Sequence, residues 1–547
     1  MFIQSAKYTG FWSVTVLAVV LCLACSSVTA EDNTTPRNEK QLQEGKRIYQ
    51  TGLLPSGQFL SGYVQQDVPL HGKQLICGSC HRRSGLGSSE GGIITPAVSG
   101  TILYQPQEIK RRELYGSRVT RPAYTDELLK RAIRDGIDPA GNKLDDLMPR
   151  YKLQESELDS LIAHLKTLST THSAGVTPSE IHIATIIAGD VRASEKKAML
   201  DVLNAYVKTK NAGTRHEKKR AKNAPFQREW HYEAYRDWVL HVWEVNGAVD
   251  TWAAQLQKHY QDTPVYAVVS GLSEADWSPV HLFCERNELP CLFPNIDIPA
   301  VDTHDFYSVY FNEGMTLEAE ALAQHIHQNN KNAVRVTQIY SDKPNSQMAA
   351  DSFRKAMRKL GNNKINEYRL DPSTSPAQWK EILQTDATDY MVLWLDDLEP
   401  ETIKSIASMS KLKQVYISST LCEACSDKLP DNIKAKIRVI HPYHLPQKTQ
   451  RKLRRTKHWL KSKGIEITHE RLQVNTFFAV SALAGGLKHN RSNFYRDYLI
   501  ERIEHMVDSM VITSMYPRLS LAPEQRYAAK GTHIFNASNN EHVWIVP

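Results

Sequence analysis

The spacing of apolar residues separates a helical N-terminal region from a longer region in which strands and helices alternate. Near the N-terminus, apolar residues recur every three or four positions over about 38–50, 125–135 and 154–168, which predicts three helices. Gly136 follows the second of these helices and Pro149 precedes the third, as expected for helix boundaries. The region 38–170 is therefore predicted to be a small, mainly α-helical domain.

From about residue 180 onward, short apolar runs alternate with amphipathic stretches. Such alternation predicts parallel sheets with helices on both faces, so 180–547 is predicted to be a separate α/β domain. The polar stretch 171–179 is predicted to be the linker. The predicted strands lie at 181–188, 238–243, 264–270, 333–340, 390–395, 414–419, 437–440 and 543–547. The predicted helices lie at 196–206, 249–259, 317–327, 347–360, 375–384, 472–487 and 493–507.

The N-terminal domain contains the motif Cys77-Gly78-Ser79-Cys80-His81. Two thiols on one helical turn can each add to one vinyl group of a single haem, and the adjacent imidazole can then bind the iron. A C-x-x-C pair alone also suits zinc or a thioredoxin-like redox site, and a disulfide followed by a chance histidine is the alternative here. The motif predicts one covalently attached haem c.

Met148 lies at the end of a polar loop, between Leu147 and the helix-excluding Pro149. A thioether sulfur is a soft, neutral ligand that suits haem iron, whereas the alternative for a methionine is to fill a gap in the core. The polar surroundings and the proline favour a loop that is pressed against a cofactor.

With these residues in place, the N-terminal domain resembles a class I c-type cytochrome. The resemblance implies that Cys77 and Cys80 are the thioether anchors, that His81 is the proximal ligand and Met148 the distal ligand, and that the carbonyl of Pro96 accepts from the imidazole. It also implies one-electron transfer with a redox partner protein, such as a periplasmic dehydrogenase or a terminal acceptor.

The first 30 residues are typical of a signal peptide, with Lys7, an apolar run at 14–23 and the small-residue site Val28-Thr29-Ala30. Export predicts a periplasmic location, which suits c-type haem attachment because that reaction is completed outside the cytoplasm. Lipidation of Cys25 and a retained leader are the alternatives, and only these would place the protein at a membrane.

The chain has eight cysteines, of which Cys22 and Cys25 lie in the leader and two lie in the haem motif. In an oxidising compartment, the remaining close pairs are predicted to form local disulfides. These pairs are Cys284 with Cys291 and Cys422 with Cys425. A redox-active dithiol at the second pair is the alternative.

The 547 residues carry a net charge of +7, with basic runs at 208–222 and 448–455. Such runs could steer an acidic partner or contact anionic lipid, but a solvated helix face is the simpler interpretation. Neither run is interleaved with aromatic residues, so nucleic acid binding is not predicted.

The order of elements in 180–547 resembles the type I periplasmic substrate-binding fold, the class of branched-chain amino acid receptors. The segments that carry the resemblance are 268–271, 289–295, 307–314 and 339–342. In that family, two lobes close on a solute by a hinge motion. The resemblance implies a cleft lined by residues at the ends of strands: Ser270, Gly271, Ser273, Asn295, Asp342, Trp394 and Asp396. These residues include no evident pair for the carboxylate and ammonium of an amino acid, so the small-molecule ligand is left open.

The predicted function is one-electron transfer by an exported monohaem cytochrome, whose receptor-like module binds a solute or a partner and positions or gates the haem. The alternative is a periplasmic ligand-binding or redox-sensing protein in which the haem is the sensor. An enzyme is not predicted, because the sequence shows no second haem motif and no nucleophile–base pairing. Incidental peroxidase activity would require a flexible distal methionine.

Overall fold

The computed structural model describes residues 34–547 except 66, 91–92, 111–117, 224–235, 301–304, 331–332, 363, 371–387, 399–405, 407–408, 410–411, 423–424, 426–430 and 540. The predicted signal peptide, with Cys22 and Cys25, and the predicted helix at 375–384 lie outside these residues. Within them, no helix combines the length and the apolar character that crossing a membrane requires.

The N-terminal module is held together by the packing of its first helix against its last. At the crossing, a Cβ atom added to Gly45 would lie 1.9 Å from the carbonyl oxygen of Ser160, so only glycine lets the two backbones approach this closely. The three helices predicted from periodicity are present. The helices are α1 (Thr34–Thr51), α2 (Cys77–His81), α3 (Gly100–Leu103), α4 (Asp126–Asp135) and α5 (Glu155–Thr167).

Short strands surround these helices, and sequence periodicity did not predict them. They form three small antiparallel sheets, in which β1 pairs with β2 and β7, β3 pairs with β4, and β5 pairs with β6. A mainly α-helical domain is therefore not what the structure shows. The strands are β1 (Ser61–Val64), β2 (Val68–His71), β3 (Ser88–Glu90), β4 (Ile93–Thr95), β5 (Gln107–Lys110), β6 (Arg118–Arg121) and β7 (Arg150–Tyr151).

The first lobe of the C-terminal module is built on a parallel sheet. Strands β10 and β11 both pair with β8 and are separated only by Ser270 and Gly271, so they act as one interrupted strand. The lateral order is then β9, β8, β10/β11, β12, β13, the 2-1-3-4-5 order of doubly wound folds. The elements are β8 (Glu180–Ala188), α6 (Ala193–Asn223), β9 (Asp237–Val245), α7 (Trp252–Asp262), β10 (Ala267–Val269), β11 (Leu272–Ser273), α8 (Ser278–Arg286), β12 (Cys291–Leu292) and β13 (Ser308–Val309).

The second lobe repeats this order and extends it. Strands β15, β14, β16, β17 and β18 are parallel neighbours, and the antiparallel strands β19 and β20 continue the sheet. The two-lobed α/β half of the predicted fold class is confirmed. The elements are α9 (Met315–Gln328), β14 (Val336–Ser341), α10 (Pro344–Lys359), β15 (Ile365–Leu370), β16 (Tyr390–Trp394), β17 (Gln414–Ser418), α11 (Asp431–Lys434), β18 (Ile437–His441), β19 (Thr532–Asn536) and β20 (His542–Ile545).

Between β18 and β19 the chain returns to the first lobe through α12 (Pro446–Ser462), α13 (Glu470–Asn490) and α14 (Arg496–Met506). Helix α13 is buried in the core of the first lobe, where Phe478 packs against Phe293 and Phe311. The chain therefore passes between the lobes three times: after β13, after β18 and before β19.

The basic run at 448–455 forms a solvated helix face, as the simpler interpretation predicted. On α12, Arg451, Arg454 and Arg455 are exposed, whereas Leu453 and Leu460 are completely buried. Exposed arginines on one face and buried leucines on the other are the ordinary pattern of an amphipathic surface helix.

Candidate functional site

The C-x-x-C-H motif folds into the single-turn helix α2, and its histidine points into the module. His81 is 6% exposed, and its Nδ1 lies 2.8 Å from the carbonyl oxygen of Pro96. Burial lowers the pKa of His81, so the imidazole is neutral at pH 7. Because a carbonyl only accepts, Nδ1 carries the proton and Nε2 keeps its lone pair, as a metal ligand requires.

The two cysteines of the motif are free thiols on the same helical turn. Cys80 is exposed, whereas Cys77 packs inward with its Sγ 3.9 Å from the hydroxyl of Tyr151. Burial raises the pKa of Cys77 to about 11. A thioredoxin-like site instead lowers the pKa of its attacking thiol, so a reactive dithiol is disfavoured here. Two free thiols beside a neutral imidazole therefore fit the residue set that haem c needs.

The loop that carries Met148 is fixed by Arg150. The guanidinium of Arg150 donates to the carbonyl of Met148, and at 3.1 Å to the carbonyl of Leu144. Met148 is half-buried against the core of the N-terminal module, whereas Leu147 is 52% exposed. The predicted distal ligand thus lies on a loop whose backbone is held in place by side-chain hydrogen bonds.

In the first lobe, the structure brings together three of the residues predicted to line a cleft. Ser270 and Gly271 interrupt the strand at the topological switch point beside β8, with φ angles of 58° and 135°. The amide of Asn295 donates to the hydroxyl of Ser270 at 3.0 Å, and that hydroxyl lies 3.2 Å from the hydroxyl of Thr476. Doubly wound folds bind ligands in this position, beyond the carboxyl ends of the strands.

In the second lobe, the predicted residues Asp342 and Asp396 lie at the equivalent switch point, beyond the ends of β14 and β16. Lys343 lies 2.5 Å from Asp396, and Arg369 forms an ion pair with Asp342. Both carboxylates are thus neutralised by basic side chains of the same lobe.

A buried carboxyl group lies where helix α9 meets the carboxyl end of β17. Glu318 is 1% exposed and accepts hydrogen bonds from Ser418 at 2.6 Å and from Thr420. Burial raises the pKa of Glu318 to about 7, although both hydroxyl groups act to lower it. This group is therefore partly protonated at neutral pH.

From Thr420, a chain of polar contacts crosses to the first lobe. The hydroxyl groups of Thr420 and Tyr443 lie 2.9 Å apart, and Arg471, at the start of α13, donates to Tyr443 at 2.6 Å. The same guanidinium lies 3.4 Å from Asp297. Asn345, at the start of α10 in the second lobe, also donates to Asp297 at 3.4 Å. We call this set, with Glu318 and Ser418, the interlobe network.

The other predicted site residues lie apart from this network. Trp394 is completely buried in the second lobe, where its indole donates to Gln338 at 3.1 Å, so its placement in the cleft is corrected: it is a core residue. The Ser273 hydroxyl makes local hydrogen bonds with the backbone of Ala275.

The two predicted disulfides have different outcomes. Cys422 and Cys425 are bonded to each other. Cys284 and Cys291 are buried free thiols, so the predicted disulfide between them is wrong. They lie on α8 and β12, side by side in the core of the first lobe.

The charged members of the interlobe network are not among the residues predicted from the sequence: Asp297, Glu318 and Arg471. Asp297 follows the predicted residue Asn295 by only two positions, so extending that strand end would have found it. Glu318 and Arg471 lie near helix starts that periodicity alone marks as ordinary. Only the pairing of the two lobes brings them together.

Comparison with known proteins finds solved structures but no family. No family model matches the chain, and no curated protein matches it. Three solved structures illustrate the similarity. The fatty acid ABC transporter substrate-binding protein from Thermomonospora curvata is 14% identical, with a TM-score of 0.42, and the match covers 69% of this chain and 94% of that one.

Two other solved structures contain a bound amino acid. A branched-chain amino acid ABC transporter from Thermus thermophilus with bound valine is 11% identical, with a TM-score of 0.45, covering 67% of this chain and 96% of that one. The branched-chain amino acid transporter substrate-binding protein from Streptococcus pneumoniae in complex with isoleucine is 12% identical, with a TM-score of 0.45, covering 68% and 100%.

The sequence-based classification is corrected in one respect. The described residues contain no group of three or more His, Cys, Asp or Glu side chains that could hold a metal ion. The classification as a metal-binding, electron-transferring cytochrome is therefore wrong as far as a metal ion held by protein side chains alone is concerned. A covalent porphyrin brings its own nitrogen ligands and needs no such group, so haem attachment at α2 is a separate question and stays a prediction.

Proposed function

We propose that this protein is an exported, two-lobed receptor for a small molecule and that its N-terminal module carries one haem c. The interlobe network carries the first half of this proposal, because it joins polar groups of both lobes beside two matching switch points. Asp297 and Arg471 come from the first lobe, whereas Thr420 and Asn345 come from the second. A solute that displaces some of these contacts would close one lobe on the other.

The chemistry of the network suits a small polar ligand. Arg471 is one-third exposed and can turn its guanidinium toward a carboxylate or another anionic group. Asp297 and Glu318 offer acceptors for an ammonium or hydroxyl group. Both signs of charge are thus available within one cluster, although the ligand itself is left open.

The receptor proposal is tested by titration calorimetry with a panel of amino acids, dicarboxylic acids and short-chain fatty acids. We expect at least one member to bind the full-length protein with one-to-one stoichiometry, and Arg471→Met to weaken its binding at least about tenfold, because a charged hydrogen bond contributes roughly 1.5–3 kcal/mol. Arg335→Met is the matched control, because Arg335 lies at the opposite, amino-terminal edge of the second sheet in an ion pair with Asp389. If no member of the panel binds, or if the two variants behave alike, the proposal is contradicted.

The second half of the proposal places a haem on α2, with Cys77 and Cys80 as its covalent anchors and His81 and Met148 as candidate axial ligands. The hydrogen bond from His81 to Pro96 supports it, because that bond fixes the tautomer that a ligand needs. Three large aliphatic side chains near these segments in the sequence are unusually exposed. Ile93 is 56% exposed, Ile94 76% and Leu147 52%, and an apolar group bound nearby would cover such a surface. Bound haem would supply an iron whose redox state and axial ligands can be followed by absorption spectroscopy.

Haem attachment is tested by expressing the chain with an intact c-type maturation system. Mass spectrometry of the mature protein is expected to show the mass of one haem, which Cys77→Ala with Cys80→Ala removes. The chain offers its own matched control, because Cys422 and Cys425 also form a C-x-x-C pair but lack the histidine, and their double alanine variant should keep the haem. Met148→Ala should keep the haem but allow added imidazole to bind it. A colourless wild-type protein without added mass would end this half of the proposal.

Within a receptor, the haem is best understood as a sensor. The segment that follows His81 docks directly on the receptor module, since Ser84 donates to Glu501. A sensing role predicts that the affinity for the solute differs between the oxidised and the reduced protein, by roughly threefold or more. Equal affinities in both states would contradict the sensor role and leave both halves of the proposal standing. A redox partner protein and lipidation at Cys25 stay predictions.

A further inference from the structure

The turn that follows the C-x-x-C-H motif is bound by a carboxyl group of the receptor module. The backbone N–H of Ser84 donates to Oε1 of Glu501 at 2.8 Å, and the Ser84 hydroxyl donates to Oε2 at 2.6 Å. Ser84 is completely buried and Glu501, on α14, is 5% exposed. A buried carboxyl group that two donors of one residue engage is a specific contact, because loss of either partner would leave a buried polar group unsatisfied.

The same turn is tied to His81. The backbone N–H of Gly87 donates to the carbonyl of His81 at 3.0 Å, and the hydroxyl of Tyr49 donates to the carbonyl of Arg82 at 2.7 Å. Ser169 donates to the carbonyl of Ser84 at 2.6 Å. The contact with Glu501 therefore acts on a short segment whose two ends are both joined to the histidine.

Charge complementarity surrounds this contact. The guanidinium of Arg83 lies 3.6 Å from Asp497 and 4.4 Å above the ring of Phe306, and Lys46 forms an ion pair with Glu288. The basic groups belong to the N-terminal module and the acidic groups to the receptor. The two modules thus meet at an interface of complementary charge, in which the Ser84–Glu501 contact is buried.

Helix α14 also connects this interface with the interlobe network. It packs closely against α13, where a Cβ atom added to Gly486 would lie 2.7 Å from a methyl group of Leu499. Helix α13 begins beside Arg471 and carries Thr476, which contacts Ser270. The packed helices α13 and α14 therefore connect the proposed solute site with Glu501.

We propose that Glu501 is a positioning residue, through which the receptor module holds the segment 82–87 and so fixes the orientation of His81. This inference rests on the proposed haem at α2 for its consequence, but the contact itself is independent of haem. The carboxyl group and the Ser84 amide set the position of the segment, and α14 carries any movement of the first lobe to it.

Hydrogen exchange of the full-length protein, followed by mass spectrometry, tests the contact. We expect Glu501→Ala to speed exchange in a peptide covering 82–87 at least about tenfold, because it leaves the Ser84 amide without an acceptor. Glu524→Ala is the matched control. Glu524 forms an exposed contact with Lys73, 3.5 Å away, between the same two modules, and its loss should leave that peptide unchanged.

Rescue separates positioning from general destabilisation. The amide of Glu501→Gln can still accept from the Ser84 N–H and donate to the Ser84 hydroxyl, so this variant should retain most of the protection. Ser84→Ala, which removes only the hydroxyl group, should give an intermediate rate and serves if Glu501→Ala does not fold. Equal exchange rates in Glu501→Ala and Glu524→Ala would overturn the inference. An exchange rate in Ser84→Ala that equals the wild-type rate would also overturn it.

The consequence for the haem is read from the midpoint potential of the haem-loaded protein. Glu501→Ala should shift the potential, whereas Glu524→Ala and Glu501→Gln should not. Failure of the two proposals can be told apart. If the protein carries no haem, the haem proposal is refuted and the exchange result alone decides whether the contact holds the segment. If the protein carries haem but neither its midpoint potential nor its exchange rate changes in Glu501→Ala, only the positioning role is refuted.

Discussion

Glu318 is predicted to make the protein less stable as the pH rises from 5 to 7. Burial raises its pKa from 4.5 to about 7, against the opposing hydrogen bonds of Ser418 and Thr420, and Asp297 raises it further while Arg471 lowers it. A carboxyl group with a higher pKa in the folded state than in the unfolded state binds more protons when folded. Its stabilising contribution is therefore complete below pH 4.5 and is lost as the pH rises through about 7.

The size of the effect follows from the two pKa values. A pKa of about 7 in the folded protein and the ordinary value of 4.5 differ by roughly 2.5, which corresponds to ~3 kcal/mol at 1.36 kcal/mol per unit. About 2 kcal/mol of this falls between pH 5 and pH 7, where the unfolded carboxyl group is largely ionised and the folded one largely protonated. That is a large part of the stability of an ordinary domain.

Urea unfolding at pH 5, 6 and 7 measures this contribution when the wild type is compared with Glu318→Gln. The amide resembles the protonated carboxyl group, so the wild type should lose about 2 kcal/mol relative to the variant over this range. Glu320→Gln, on the same helix, is the matched control for the loss of one carboxyl group. A wild-type-minus-variant difference that stays constant with pH would refute the assignment of a raised pKa to Glu318.

Two further substitutions test the packing of each module. Gly45→Ala should lower the free energy of unfolding by about 1–3 kcal/mol, because its Cβ would lie 1.9 Å from the Ser160 carbonyl oxygen; an unchanged urea midpoint would contradict the close crossing of α1 and α5. Arg496→Lys should lower the free energy of unfolding by roughly 3 kcal/mol, because the guanidinium donates to the carbonyls of Tyr266 at 3.1 Å and Val265 at 2.6 Å and an ammonium cannot reach both. A decrease in the free energy of unfolding below about 0.5 kcal/mol would contradict this prediction.

The long elements could be predicted because their burial leaves a signature in the sequence. Strands β8 and β16, covered on both faces, appear as continuous apolar runs, and their predicted bounds differ from the observed ones by one residue. Helix α6 was predicted to end near residue 206 but continues to Asn223. Beyond 206 the sequence is largely charged, so the periodic apolar pattern fades although neither glycine nor proline forces the helix to end at that point.

The short strands of the N-terminal module could not be predicted in the same way. Strand β7 has two residues and β3 has three, so neither is long enough for an alternating pattern. Their positions depend on partners that are distant in the sequence, as when Tyr63 of β1 pairs with Arg150 of β7. Such contacts come from the tertiary fold and leave no local pattern.

The candidate sites show the same difference between contacts within one local motif and contacts between distant parts of the chain. His81 and its Pro96 partner belong to one local motif, and the predicted contact between them is present at 2.8 Å. Trp394 was placed in the cleft because it ends a strand, but successive side chains of a strand point to opposite faces, and this one faces the core. Arg471 and Asp297 are separated by 174 positions in the chain, so only the fold could bring them together.

The predicted linker, 171–179, is held against the start of α14 by hydrogen bonds and by a ring contact. The backbone N–H of Ser173 donates to the carbonyl of Phe494 at 3.0 Å, and the hydroxyl of Ser173 accepts from the backbone N–H of Arg496 at 3.1 Å. The ring of His172 packs edge-on against Phe494, 5.5 Å away. A free linker would let the N-terminal module sample many orientations, whereas these contacts anchor it at the start of α14, the helix that also carries Glu501. Helix α14 thus holds both the predicted linker and the segment 82–87, so a displacement of that helix would shift the two together.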